Sequence, residues 1–483
     1  MGGNRGGTTM FAGVDRIAVM LYAALTLVGL AAILSASWDE TAANMFDMSH
    51  KYMKQAMWLG VAWFFGVVVL LLDGSIWHKF AYYAYALGIL ALVATLLLGR
   101  EVNGAKAWFE FGSVRVQPME FVKIAIALAT ARAMSEYSFS LSKAGDVFRI
   151  AVIILLPLGI TILQNDTGSG LVLGSFLFVL YREGLNKWIC IPILFIALLF
   201  IVSFFISPTV LLVALIAIFV LSEAMMNRRW RICVQYVAGL FLCSIVIKLV
   251  FDLVLPNGFE YYKSLLIATL LSLVVVLWYA YRHNLRNIYL STAIFFLSMT
   301  FMPTSDYIFN SVLKPHQKDR IESFLGLTSD FNRDYNVNQS KIAIGSGGFF
   351  GKGYMQGTQI RYNFVPEKHT DFIFCTIGEE EGFVGAVIVL LLMGALILRI
   401  MGMGDRQQEP FGRVYCYCVA AILLFHTLVN VGMTMGIVPV MGIPLPFISY
   451  GGSSLVAFTI LVFVAFALDA STRKGLPVYG IRR

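Results

Sequence analysis

Long apolar runs limit how this chain can fold more than any short motif does. Most approach the roughly 20 residues that a helix needs to cross a bilayer. They lie at 17–35, 56–72, 80–98, 118–134, 149–163, 169–181, 188–206, 208–222, 232–251, 263–280, 288–302, 372–399, 414–435 and 453–470. Only 13% of the 483 residues are charged, about half the share in a typical soluble domain. The pattern predicts an all-α polytopic integral membrane protein with about 14 transmembrane helices and excludes a soluble enzyme.

The basic residues predict which loops face the cytoplasm. With the N-terminus placed inside, 20 of the 36 Lys and Arg residues fall on inner segments and tails, and six fall on short outer loops. Cytoplasmic loops of membrane proteins carry such an excess. We therefore expect both termini to be cytoplasmic, and the net charge of +8 requires no nucleic-acid partner.

One long segment, 303–371, falls on the outer side of this topology. It is too long and too rich in charge and glycine for a simple connection, and long loops on a rigid scaffold commonly carry function. We therefore predict one large extracytoplasmic loop with a functional role. The predicted organisation is N-terminal helices in 1–187, further helices in 188–302, the loop 303–371, C-terminal helices in 372–470 and a basic cytoplasmic tail in 471–483.

Asp330 is the carboxylate of this loop that best suits catalysis, because basic and aromatic residues flank it. A carboxylate beside cations can act as a general base at the membrane surface. Two alternatives remain open at this point. Asp330 can be an ordinary solvated residue, or Asp334 can take the same role.

The glycine-rich stretch 345–353 in the same loop can turn backbone N–H groups toward an anion. It is not a nucleotide-binding P-loop, because Ser346 and Gly353 stand where that motif needs Gly and Ser or Thr. Lys341 and Lys352 would neutralise a phosphate on a molecule of the outer leaflet. The alternative is a flexible turn without a ligand.

A charged pair opens the fourth apolar run. Glu120 and Lys123 are three residues apart, so on a helix they share a face and can form an ion pair. The pair is either structural or the lining of a polar cavity, since lone charges in a membrane are costly. Lys106 places another cation on the outer side. Asp166, between two short runs, either lines a cavity or forms a local turn.

Two later outer segments carry further polar groups. His369 alternates with Glu367 and Asp371, so an extended segment places them on one face as ligands for a divalent cation, or as caps for the next helix. Glu379 and its acidic neighbours should face the protein interior. Ser449 lies in the proline- and glycine-rich segment 439–454 and either binds a ligand or belongs to a rigid scaffold.

All these motifs fall on the outer side of a topology that rests on charge counting alone. Independent loops would scatter between the two sides, so the convergence predicts one extracytoplasmic site. Carboxylates, lysines and flexible backbone beside lipid suit chemistry on an amphiphile that carries phosphate.

Three motifs together resemble the SEDS family, which comprises the rod-shape, division and sporulation proteins RodA, FtsW and SpoVE. The most specific is Pro-Leu-Pro-Phe-Ile-Ser-Tyr-Gly-Gly at 444–452. The others are Gln-Ser at 339–340 with the glycine-rich 343–348, and the segment 366–374. The resemblance covers roughly 1–185 and 303–470, and the residues at 352–359 are similar to the RodA branch.

The resemblance implies a peptidoglycan glycosyltransferase that polymerises lipid II, with Asp330 as the essential loop carboxylate and undecaprenyl diphosphate as leaving group. The family's Glu and Lys after Gln-Pro match Glu120 and Lys123, and a further family aspartate matches Asp166. With the candidates argued above from residue chemistry, the predicted substrate- or diphosphate-binding residues are Lys123, Glu120, Lys106, Lys341, Lys352, Asp166, His369 and Ser449. The implied partner is a class B penicillin-binding protein, and the implied place is the bacterial inner membrane with the site on the periplasmic side. No metal centre and no required cofactor are predicted, with Mg²⁺ or Mn²⁺ as an optional counter-ion.

The chain departs from the family in several places. Met119 replaces a serine, and Ala107 stands where an arginine often precedes Trp108. The family normally has ten crossings, so the five runs within 188–302 predict about four inserted helices on a family core of ten. An even number of insertions keeps the later loops on their expected sides.

Two other functions are compatible with the sequence. Fourteen crossings also suit a flippase or transporter for a lipid-linked precursor, but the few charged residues within the runs lie mostly near the outer end. A scaffold of a cell-wall assembly is less consistent with the polar cluster. The division branch of the same family is an alternative to the elongation branch.

Overall fold

The computed structural model describes residues 13–38, 47, 50–102, 104–112, 114–203, 206–228, 230–254, 260–307, 318 and 331–473. Asp330 and the rest of 319–330 lie outside these residues. Contacts within the chain separate two compact units. The first comprises Met1–Asn186 and Asp319–Arg483, and the second comprises Lys187–Lys318.

The first unit is a helical bundle with one small sheet. Before the second unit it contains α1 (Arg16–Ala36), α2 (Lys51–Leu71), α3 (Gly74–Leu98), β1 (Arg100–Val102), β2 (Ala105–Phe111), β3 (Val114–Val116), α4 (Pro118–Met134), α5 (Ala144–Leu163), α6 (Thr167–Val172) and α7 (Phe176–Arg182). After it come α13 (Phe331–Ser346), α14 (Thr358–Arg361), α15 (Ile373–Glu380), α16 (Gly382–Arg406), α17 (Pro410–Thr434) and α18 (Gly452–Arg473).

The second unit is a bundle of five helices. They are α8 (Lys187–Val202), α9 (Pro208–Asn227), α10 (Trp230–Val254), α11 (Tyr261–Arg282) and α12 (Arg286–Tyr307). Its own apolar core includes Leu212, Leu265 and the stacked rings of Phe219 and Phe295, whose centroids are 4.8 Å apart. The predicted segment 188–302 lies within this unit, and its status as an insertion stays a prediction.

The all-α membrane class is confirmed. Each predicted apolar run overlaps a helix among the described residues, and ten of those helices are long and apolar enough to cross a membrane. The others are shorter or more polar, so the count of fourteen crossings stays a prediction.

A three-stranded antiparallel sheet between α3 and α4 was not predicted from the sequence. Strand β2 pairs with β1 on one side and with β3 on the other. Glu110 on β2 forms ion pairs with Arg100 and with Arg115, the latter at 2.7 Å. Gly104 and Gly112 adopt positive φ at the two turns. Strands of three to seven residues between long apolar runs give little periodic signal.

Helices α4, α17 and α18 form the buried centre of the first unit. Nearly every residue of α4 is buried, and 83% of the apolar window of α18 is buried within the protein. Protein therefore surrounds α4, which explains how a crossing predicted at 118–134 can carry charged side chains.

The predicted run 372–399 is divided into two helices. Helix α15 ends at Glu380, and Gly382 begins α16 with φ +64°. A Cβ atom on Gly382 would lie 2.3 Å from the backbone nitrogen of Gly351 and 2.8 Å from the carbonyl oxygen of Phe349. Only glycine satisfies both this conformation and this contact, so the break is a consequence of packing against the glycine-rich turn.

Buried carboxylates and arginines join α1, α16 and α18 at one end of the first unit. The carboxylate of Asp15 accepts from the backbone N–H of Ala18 and lies 2.9 Å from the guanidinium groups of both Arg399 and Arg473. Asp469 pairs with Arg473 at 3.0 Å. The Asp15 and Asp469 side chains are each 1% exposed. A buried carboxylate is stable only with such partners, so this network fixes the ends of three helices.

Replacing Asp15 by Asn should lower the free energy of unfolding by about 2–3 kcal/mol, because partly exposed arginines lose a buried partner. The measurement is thermal or denaturant unfolding of the purified protein in detergent. Asp73→Asn is the matched control, because Asp73 is exposed and caps α3 without a side-chain hydrogen bond. Equal effects of the two substitutions would contradict this role of Asp15.

Candidate active site

The site is built around the first turn of α4. Pro118 occupies the first helical turn, where its missing N–H costs nothing, and Glu120 follows one turn before Lys123. The Lys123 ammonium lies 2.9 Å from both carboxylate oxygens of Glu120. The two side chains are 2% and 3% exposed. The predicted ion pair is thus confirmed, and it is fully enclosed by protein.

His426 of α17 is the third member of this buried group, and the sequence analysis did not identify it. Its Nε2 lies 2.9 Å from the Lys123 ammonium, and its Nδ1 lies 3.2 Å from the carbonyl oxygen of Pro444. Because the ammonium only donates and the carbonyl only accepts, the ring is the neutral tautomer with its proton on Nδ1. The only signal in the sequence is a histidine inside the apolar run 414–435.

The Phe458 ring completes the enclosure of this group. The Lys123 nitrogen lies 4.8 Å from its centroid, within the range of a cation–π interaction. His426 contacts the same ring edge-on, with centroids 4.8 Å apart. Thus α4, α17 and α18 each supply one part of a single buried polar cluster.

The segment after α17 is tied to the loop before α15. The amide of Asn430 donates to the carbonyl oxygens of Asp371 and Ile443, at 2.9 and 2.8 Å. Ser449 donates to the carbonyl oxygen of Thr370 at 2.7 Å and accepts from the N–H of Leu445. The hydroxyl of Ser449 therefore bonds to backbone on both sides, as expected for a scaffold.

His369 lies where these two segments meet α2. Its carbonyl oxygen accepts from the N–H of Tyr450 at 2.8 Å, and its Nε2 lies 2.8 Å from the ammonium of Lys51. Burial, together with the nearby charges of Lys51 and Lys368, lowers the pKa of His369 to about 4, although Glu367 opposes the shift. The ring is therefore neutral at pH 7.

The glycine-rich turn forms a second polar cluster around Glu379. This carboxylate is fully buried, as predicted, and accepts from the Lys352 ammonium at 2.6 Å and from the backbone N–H groups of Gln359 and Ile360. A Cβ atom on Gly347 would lie 2.0 Å from a carbonyl oxygen of α15. Close packing therefore requires glycine at position 347. The ammonium of Lys352 is already paired with the Glu379 carboxylate.

The other predicted residues lie at a helix N-terminus, on strand β2 and on α13. Asp166 caps α6 through the N–H of Ser169 and accepts from the amide of Gln117 at 2.7 Å. Lys106 donates to the carbonyl oxygen of Leu97 at 3.1 Å. Lys341 is exposed on α13, whose neighbouring Ser340 donates to the carbonyl oxygen of Thr434.

Several predicted residues are therefore linked through direct contacts. Glu120 and Lys123 connect through His426 to the segment that carries Ser449, and that segment contacts His369. Asp166 reaches the residue before α4 through Gln117. Lys352 belongs to the Glu379 cluster, and Asp330 lies outside the described residues. Among the residues that the structure describes, no group of three or more His, Cys, Asp or Glu side chains is arranged to hold a metal ion.

The low pKa of His369 has a consequence for stability. The unfolded chain takes up a proton near pH 6.5, but the folded protein does so only near pH 4. The contribution of His369 is therefore present above pH 6.5 and falls by up to about 3 kcal/mol as the pH drops toward 4. Unfolding of the wild type and of His369→Gln across this range should show the wild type losing more stability on acidification. Parallel pH curves would contradict the prediction.

Comparison with known proteins agrees with this architecture. The model of the cell cycle protein family FtsW, RodA and SpoVE matches residues 15–213 and 267–474. Peptidoglycan glycosyltransferase RodA of Treponema pallidum is 32% identical over 467 residues, covering 95% of this chain and 98% of the relative. Peptidoglycan glycosyltransferase MrdB of Escherichia coli K12 is 29% identical over 444 residues, covering 91% and 87%.

Solved structures share the fold. A chain of a peptidoglycan synthase complex, described as coordinating polymerization and crosslinking, aligns with a TM-score of 0.58 and 22% identity over 94% of this chain and 97% of that one. The rod shape determining protein RodA of Thermus thermophilus aligns with a TM-score of 0.54 and 22% identity over 95% and 97%. The family match covers well over half of the sequence, and the chain therefore belongs to the FtsW, RodA and SpoVE family.

Proposed function

We propose that this protein is a peptidoglycan glycosyltransferase that polymerises lipid II for cell-wall elongation and cell shape. The observation that carries the proposal is the buried Glu120–Lys123–His426 group, which is joined by hydrogen bonds to the segments before α15 and before α18. The relatives named for peptidoglycan glycosyltransfer align over nearly the whole chain. RodA and MrdB are more similar to this chain than the FtsW proteins at 24–26% identity, which favours the elongation branch.

In the proposed reaction, Asp330 removes the proton from the 4-hydroxyl of the acceptor GlcNAc. The oxygen then attacks C1 of MurNAc on the lipid-linked donor, and undecaprenyl diphosphate leaves with inversion at C1. Proton removal and stabilisation of the leaving charge need separate groups. Asp330 directly precedes α13, which a hydrogen bond from Ser340 anchors to the end of α17.

The lysines divide into two roles in this proposal. Lys123 is enclosed and holds Glu120 and His426 together, so it positions the outer segments. Lys341 and Lys106 have more exposed side chains and supply positive charge to the diphosphate. Lys352 can bind the diphosphate only if its ammonium gives up the bond to Glu379. Mg²⁺ or Mn²⁺ is an optional counter-ion of the diphosphate in this proposal.

The proposed setting is the bacterial inner membrane, with both termini in the cytoplasm and the site on the periplasmic side. The excess of basic residues on one set of segments supports this orientation. The proposed partner is a class B penicillin-binding protein that crosslinks the new strands. The similarity to a chain from a peptidoglycan synthase complex supports such a partnership.

A flippase for the lipid-linked precursor is the alternative function. Transport would favour charged groups along a continuous path through the membrane. In the first unit, Glu120 and Lys123 neutralise each other and are sealed by Phe458, which favours the enzyme.

Asp330→Ala should reduce polymerisation of labelled lipid II by about 100-fold or more, because the reaction loses its general base. The assay uses purified full-length protein with and without the class B penicillin-binding protein and measures glycan chain length. Asp334→Ala is the matched control for a nearby carboxylate, one turn along the chain in α13, and it should retain most activity. Unchanged chain formation by Asp330→Ala would exclude Asp330 as the base, and lipid movement without product would favour the flippase.

A further inference from the structure

The second unit contains a cavity that the proposed glycosyl transfer does not use. Its volume is about 300 Å³, at the lower end of the range for small-molecule sites. The walls come from the end of α9, the start of α10, the end of α11 and the start of α12. Phe219, Val276 and Ile288 are among the side chains that make the walls largely apolar. A cavity of this character suits a hydrocarbon chain.

One buried carboxylate interrupts the apolar walls. Glu223 lines the cavity and is only 7% exposed. Its oxygens accept from the amide of Asn227 at 2.8 Å and from the hydroxyl of Ser291. A carboxylate has about four acceptor positions, so Glu223 can take a further donor from a ligand while these two bonds hold it in place. The ligand should therefore carry a hydroxyl or ammonium group as well as a chain.

The same helix ends carry exposed arginines. Arg228 follows Asn227 directly, Arg231 precedes the cavity residue Ile232, and Arg282 ends α11. Guanidinium groups bind phosphate with two parallel hydrogen bonds. Basic residues beside a pocket between membrane helices are typical of sites for anionic lipid head groups. Apolar walls, a buried acceptor and exposed arginines therefore occur together at one end of this unit.

We propose that the second unit binds a phospholipid, with one acyl chain in the cavity, the phosphate on Arg228, Arg231 and Arg282, and a head-group donor on Glu223. An apolar molecule without phosphate would leave the arginines unused. Free phosphate would leave the cavity unfilled. The proposal is independent of the glycosyl transfer, because every residue that it uses belongs to the second unit.

Native mass spectrometry of the full-length protein in detergent tests this site. We expect phosphatidylglycerol to remain bound more strongly than phosphatidylcholine, whose head group has no hydrogen-bond donor, and we expect no retention of inorganic phosphate. Val276→Trp should remove the bound lipid by filling the cavity. The matched control is Val274→Trp on the same helix, where the side chain is 71% exposed, and it should retain the lipid.

A second set of variants avoids changes to the packed core. The double variant Arg228→Gln with Arg282→Gln should bind phosphatidylglycerol about tenfold more weakly, since each arginine near a membrane surface attracts anionic lipid. Arg16→Gln, an exposed arginine at the start of α1, should leave binding unchanged. Glu223→Gln should reduce the preference for phosphatidylglycerol over phosphatidylcholine. Equal retention by the arginine variant and the wild type, or retention of phosphate without lipid, would overturn the proposal.

Discussion

The ion pair between Glu120 and Lys123 is the interaction on which the rest of the site depends. Removing two charges from water costs several kcal/mol for each ion, and only close partners offset that cost. Here the ammonium contacts both carboxylate oxygens, the neutral ring of His426 and the face of Phe458. These partners come from three helices, so satisfying one buried charge fixes how α4, α17 and α18 pack.

The same requirement explains the other fixed points of the first unit. Glu379 is fully buried and bonds to Lys352 and to backbone N–H groups of α14, which holds the glycine-rich turn against α15. Asp15 joins α1, α16 and α18 through its ion pairs with Arg399 and Arg473. Each buried carboxylate therefore joins segments that are distant in sequence. The loop segments of the first unit therefore gain a rigid support.

Local patterns predicted much of this structure, because they depend on short distances along the chain. The pairing of Glu120 with Lys123 follows from helix geometry, and the membrane helices follow from apolar length. The contact of His426 with Lys123 joins residues 303 positions apart, so no local pattern indicates it. The sheet was missed because its strands are short. The pairing of Lys352 with Glu379 likewise joins residues 27 positions apart, so the glycine-rich pattern around Lys352 does not indicate it.

A double-mutant cycle on the buried pair tests the central claim most directly. The free energy of unfolding is measured for the wild type, Glu120→Gln, Lys123→Met and the double variant. If the pair organises the site, each single change should cost about 3 kcal/mol because one buried charge loses its partner. The double variant should then lose about 2 kcal/mol less unfolding free energy than the two single variants lose together. Additive effects within about 0.5 kcal/mol would contradict the account.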